Sequence, residues 1–169
     1  MDTFHAIDTL RSVRKFSDQP ITDPQLQRIL DAGRRAGSAK NMQPWHFIVL
    51  RQPERLQQLA QLGHWAGHLA DAKVGIALLS AHPDVRWSIM FDLGRAAQNM
   101  MLAAWALGIV SCMATIYEPE QARQLLKFPA HLHLRGAISF GYPAQDPQTR
   151  PPRTGMRRPI DDVVHWEEW

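Results

Sequence analysis

Three observations predict an α+β domain. The chain has 169 residues, one domain's length, with 45% hydrophobic and 21% charged residues, the balance of a soluble globular protein. Short runs rich in aromatic and β-branched residues are interspersed with amphipathic helical patterns. One long helical pattern is apolar on most of its faces, which marks a central helix buried by several neighbours or by a second subunit. The order of the strands does not follow from this pattern.

The first element covers Phe4 to Leu10. Thr22-Asp23-Pro24 then supplies a capping residue and a proline suited to a first helical turn. Leu26, Ile29, Leu30 and Gly33 continue at helical spacing towards Ala36, and Gly37 to Pro44 is a loop. Trp45 to Leu50 has the composition of a buried strand. Pro53 opens a helix through Leu59, Gly63 interrupts it, and a short helix is expected from His64 to Ala70. Val74 to Leu79 is a second strand, followed by the long apolar helix from about Val85 to Leu107, which Gly108 stops. Ile109 to Thr115 is a third strand, Pro119 to Lys127 a helix, and Gly136 to Gly141 a fourth strand. From Ala144 the character changes. Five prolines from Pro143 to Pro159 keep the chain extended, and Trp166 and Trp169 on the polar tail need a surface to bury against. An arm lying on the body or on a partner subunit is expected.

Composition excludes several functional classes. No run approaches the roughly 18 apolar residues of a membrane-spanning helix, and Met1 to His5 lacks a secretory pattern, so a cytoplasmic protein with no membrane partner is expected. The single Cys112 rules out an internal disulfide and a cysteine-based zinc site. The net charge is only +3, but 15 of the 19 basic residues are arginine, whose planar fork suits phosphate and carboxylate oxygens. Without a nucleic-acid-binding motif or aromatic platform, an anionic small molecule fits better than nucleic acid.

No Gly-x-Gly-x-x-Gly follows a strand, and no Walker loop or Gly-x-Ser-x-Gly elbow occurs, so a dinucleotide held in a Rossmann cleft is unsupported. His64 and His68 have the spacing of a metal pair on a helix but lack a third ligand, and are expected to be surface histidines. Cys112, beside Met113 in an apolar strand, reads as a core thiol. Asp92, within the most apolar helix, is either functional or a first-turn carboxylate favouring the helix dipole. What remains suits an anion and a polar planar ring. Arg11-Ser12-Val13-Arg14 offers two cations and a hydroxyl, Ser38 to Gln43 a loop of amides and a hydroxyl, and Arg157-Arg158 two further cations.

In this order the segments resemble one family. Arg11-Ser12-Val13-Arg14-Lys15-Phe16 followed by Asn41-Met42-Gln43-Pro44-Trp45-His46-Phe47 is similar to the flavin-dependent nitroreductase family. The long helix from Asp92-Leu93-Gly94 through Gln98-Asn99-Met100 to Ala106-Leu107-Gly108 fits, as do Phe140-Gly141-Tyr142-Pro143 and Arg157-Arg158-Pro159. The resemblance implies a single nitroreductase-like domain over residues 1–169, with a central, mostly antiparallel sheet flanked by helices. Residues 144–169 would form a domain-exchanging C-terminal arm. It implies a homodimer with FMN at the interface, contacted by both chains. Arg11 and Ser12 would hold the phosphate with Arg157, and Arg14 would reach the pyrimidine edge of the ring. Ser38 and Asn41 would come from the partner subunit, with Gln43 and Arg158 completing the cofactor-binding set. No protein nucleophile, acid–base pair or metal is implied: flavin N5 would take hydride from a transient NAD(P)H and pass it to nitroaromatic, quinone or similar acceptors.

Three positions depart from the family pattern. Leu10 stands where many members have the first arginine of Arg-Arg-Ser, Gly37-Ser38 replaces the usual Pro-Ser, and Gly155 stands where larger members have a lysine. Weaker FMN binding and an open, permissive site are expected. The alternatives are a flavin- or ligand-binding protein without turnover, and a related flavin enzyme of the dehalogenase or flavin-fragmenting type.

Overall fold

The computed structural model describes residues 2–147 and 157–169. Helix α1 (Thr3–Thr9) starts where the Asp2 carboxylate accepts from the His5 N–H at 2.9 Å. Helix α2 (Asp23–Arg34) carries the predicted Thr22 and Pro24 start, and the Gln25 side chain accepts from the Thr22 N–H at 3.1 Å. Strand β1 (His46–Leu50) and helix α3 (Pro53–Ala60) follow as expected, then β2 (Val74–Ala81), α4 (Ile89–Ala106), β3 (Val110–Thr115), α5 (Pro119–Leu126) and β4 (Leu132–Gly141).

The four strands form one antiparallel sheet in the order β1-β2-β4-β3. Side chains alternate across it, so each face builds its own core. Ile76, Leu78, Ile138 and Phe140 pack with Leu26 and Ile29 of α2 and with Leu93, Ala96, Ala97 and Met100 of α4. Ala77, Leu79, Leu134 and Ala137 face the opposite way, against Leu56 and Leu59 of α3, Leu69, and Ala122 of α5. The sheet is therefore covered on both sides along β2, which is buried over nearly its whole length and reads as a largely apolar run.

Three elements differ from expectation. The long helix does not begin at Val85: Pro83–Val85 is a separate single turn, Arg86 is extended at φ −162°, and the first main-chain bond of α4 joins the Asp92 N–H to the Ser88 carbonyl at 3.0 Å. The expected helix over His64–Ala70 is reduced to one turn, Gly67–Leu69. Strand β4 starts four residues before Gly136, because Leu132 and Leu134 alternate with polar neighbours and pair with Ala81 and Leu79 of β2.

Candidate functional site

The edge of the sheet at β3 is not left bare. The Val13 N–H donates to the Ser111 carbonyl at 3.0 Å, with Ser12 bridged in parallel to Ser111. Further along, the Ser17 N–H donates to Tyr142 at 2.8 Å, the Ala144 N–H to Lys15 at 3.2 Å, and Phe16 bridges Pro143. Residues 12–17 are thus pinned to the start of β3 and to the chain leaving β4. An extended backbone sends alternate side chains to the same side, and Ser12 and Arg14 are both exposed. Arg14 makes no hydrogen bond or ion pair with any of the described residues, although its charge acts on His68 and Cys112. Arg11 spends Nη1 on the carbonyls of Asp8 and Leu10, at 2.8 and 3.0 Å, closing the end of α1. Leu10, standing where the family pattern has arginine, packs against the apolar core.

Beside this segment, β3 turns Ser111, Met113 and Thr115 towards the same face as Phe140 and Ile138. Ser111 is fully buried and its hydroxyl has no hydrogen-bond partner, whereas Met113 is 43% exposed and Thr115 is exposed. The sheet face is therefore covered at Ser111 and open beyond it. The open stretch leads to Tyr117, whose ring meets His64 edge-on at 4.9 Å.

Behind β3 lies a buried polar group. His68 is 6% exposed, and its Nδ1 lies 2.7 Å from Ser139 Oγ. Because the Ser139 hydroxyl donates to the Cys112 carbonyl at 3.2 Å, it accepts from the ring, which places the ring proton on Nδ1. Nε2 is left buried without a partner. Burial holds the His68 pKa below its ordinary value, helped by Arg14 and opposed by the Met113 main chain. The expectation of two surface histidines is thus corrected: His64 is exposed, but His68 is part of the core. Cys112 is the expected core thiol, its pKa pushed up by burial against the opposing influence of Arg14 and Ser12.

The second predicted group, Ser38, Asn41 and Gln43, sits on a tightly wound loop. Ser38 Oγ accepts from the Gln43 N–H at 2.9 Å, and Gln43 Nε2 lies 3.4 Å from the Asn41 carbonyl. Lys40, Asn41 and Gln43 take φ values of 52°, 54° and 46°, a left-handed region that non-glycine residues visit at a cost. Their side chains are exposed. Asp92, left open by the sequence, is buried and accepts from the Ala39 N–H.

Among the described residues no hydrogen bond, ion pair or ring contact joins this loop to residues 11–14, so one chain presents the two groups separately. Arg157 and Arg158 are not brought to either group. All of residues 157–169 are exposed, and their hydrogen bonds are to one another, such as Arg158 to the Asp162 carbonyl. His165 stacks on Trp169 at 4.2 Å. Arg150, Arg153 and Gly155 lie outside the described residues.

Comparison with known proteins follows the same lines. The model of the nitroreductase family matches residues 7–75 and 57–142. A protein of Methanothermobacter thermautotrophicus, provisionally named NADH dehydrogenase/NAD(P)H nitroreductase, is 33% identical over 100% of this chain and 88% of its own length. An NADPH-flavin oxidoreductase of Vibrio harveyi is 29% identical over 99% of this chain and 75% of its own. The crystal structure of nitroreductase A from Vibrio parahaemolyticus superposes with a TM-score of 0.85 at 26% identity, covering 100% of this chain and 77% of that one.

Proposed function

This chain belongs to the nitroreductase family, and we propose that it is an FMN-dependent NAD(P)H oxidoreductase of the cytoplasm that reduces nitroaromatics, quinones or similar small acceptors by a ping-pong route. The observation that carries the reading is Arg14: an exposed cation without a partner among the described residues, on a backbone pinned beside Ser12 to the start of β3. Family membership and the flavin named in the Vibrio harveyi relative support the choice of cofactor.

The donor set fits such a group. Arg11, Ser12 and Arg157 would take the phosphate, because guanidinium forks and hydroxyls make charge-assisted bonds to its oxygens. Arg14 would lie against the pyrimidine edge, where a cation favours a reduced, anionic ring. Ser38, Asn41 and Gln43 would come from a second copy of the chain, which accounts for their separation from Arg14 within one copy. Arg158 would help hold the arm. Bound FMN would supply hydride acceptance and donation at N5. The protein's own part is to bind, orient and exclude water, and His68, neutral and buried, takes no proton to or from the reacting atoms.

A homodimer is part of the reading. On α4, Met90, Gly94 and Gln98 form an exposed row with Phe91 and Arg95 beside it, and Trp87, Trp166 and Trp169 are exposed. Trp87 and Phe91 meet edge-on at 5.3 Å, so the exposed start of α4 carries an apolar patch of the kind that marks an interaction surface. The test is the visible spectrum of the purified protein, chromatographic identification of any released chromophore, and FMN titration of colourless protein. Bound FMN together with NADH or NADPH oxidation in the presence of a nitro compound or quinone is expected. Binding without oxidation makes the chain a flavin-binding protein, and absence of binding overturns the proposal.

A further inference from the structure

Asp92 stands in the first turn of α4 and is 3% exposed. A carboxyl group at that depth requires hydrogen-bond partners. It has two: the Ala39 N–H, 3.2 Å from both carboxylate oxygens, and Arg86 Nη2, 3.4 Å from Oδ2. Arg86 comes from the extended stretch before α4 and Ala39 from the 37–44 loop, so one carboxylate ties together a stretch 6 residues before it and another 53 residues before it.

The gripped segment holds three of the five left-handed non-glycine residues among the described residues. Lys40, Asn41 and Gln43 are all left-handed, and neither the Gln43 main-chain bond to Ser38 nor its side-chain bond to Asn41 ties the loop to the rest of the fold. A backbone in such conformations persists only where its surroundings over-determine it. One turn along α4, the Arg95 guanidinium lies over Gly37: a Cβ there would sit 2.2 Å from Nη2. Residues 92 and 95 are neighbours on one helix face.

We propose that Asp92 is a positioning residue. Its carboxylate, paired with Arg86, fixes the Ala39 amide and thereby holds Asn41 and Gln43 in the left-handed geometry in which their amides meet the ligand. The ligand part rests on the FMN reading above; the loop part does not. A carboxylate serving only the helix dipole would stabilise α4 and leave the loop's conformation alone, so the two roles separate experimentally.

The variants are Asp92→Ala and Asp92→Asn, the latter removing charge at constant volume so that the test survives if the alanine variant fails to fold. Hydrogen exchange by mass spectrometry on protein without flavin is expected to rise about tenfold or more at residues 39–43, with β2 and β4 unchanged. FMN titration by flavin fluorescence is expected to show dissociation constants raised about tenfold, as for loss of a charged hydrogen bond. Asn41→Ala added to Asp92→Ala should then cost far less than in the wild type, because both act through one loop. Exchange at 39–43 unchanged, exchange raised throughout the chain, or fully additive losses of FMN affinity would each overturn the proposal. If the wild type takes up no FMN, the functional reading fails, and the exchange result alone still decides whether Asp92 holds the loop.

Discussion

Arg14 and His68 show how differently two side chains near β3 are used. Arg14 is presented to solvent by a pinned backbone, and the functional reading gives it a ligand to meet. Arg14→Ala is expected to raise the FMN dissociation constant about ten- to a hundredfold, the loss typical of charge-assisted hydrogen bonds; unchanged affinity would make Arg14 a solvated surface residue. His68 is held neutral inside the fold, and its depressed pKa gives a pH dependence of known sign. Between its folded pKa and the unfolded value of about 6.5, the unfolded chain binds the proton more readily. Its contribution to stability is therefore complete above about pH 6.5 and is lost as pH falls through the folded pKa. His68→Asn retains a donor for Ser139 without a titrating ring, so its Tm is expected to fall less between pH 7 and pH 5 than that of the wild type. Parallel curves would show that His68 does not titrate in this range.

Elements set how close such residues come, and one contact is especially unforgiving. A Cβ at Gly63 would lie 2.2 Å from the Thr115 carbonyl oxygen, a main-chain atom of β3 that cannot swing aside. Gly63→Ala is expected to cost about 1–3 kcal/mol in denaturant unfolding, as overpacking does; a loss below the error of the measurement would mean that β3 gives way. The same junction explains part of what the sequence hid. Helices that carry their own start signals, such as Thr22-Asp23-Pro24 and Pro119, were legible, as were strands made of continuous apolar residues. The break at Arg86 and the reduced turn at Gly67–Leu69 were not, because side-chain contacts accompany them: Asp92 bonds Arg86, and His68 within the turn bonds Ser139. Arg11, Ser12, Arg14 and the Ser38–Gln43 loop stand out in the sequence by residue type and by family resemblance, and a ligand-binding role for them is the proposal that the FMN titrations test. The burial of His68 could not be read there, since it depends on Ser139, 71 residues away. The anchoring role of Asp92 depends on Ala39, 53 residues before it.

At the scale of the molecule, the described chain is a covered antiparallel sheet with an apolar helix edge and a tail that hydrogen-bonds only to itself. If the tail is exchanged between copies, removing residues 157–169 should raise the dimer dissociation constant about a hundredfold or more, since buried tryptophans dominate interfaces. Sedimentation at several concentrations would show it, and an unchanged profile would mean that the arm does not hold the dimer. The strip of chain from Ser12 to Ser17 has a different consequence, one for how the protein is made. Its partners are Ser111 and residues 142–144, so a ribosome delivers Arg11, Ser12 and Arg14 long before anything exists for them to dock on. Contacts of such sequence separation form late and slowly. A growing chain arrested before Tyr142 would therefore lack the partners of Lys15, Phe16 and Ser17, and competence to bind a ligand there would arrive only once residues 142–144 have been made.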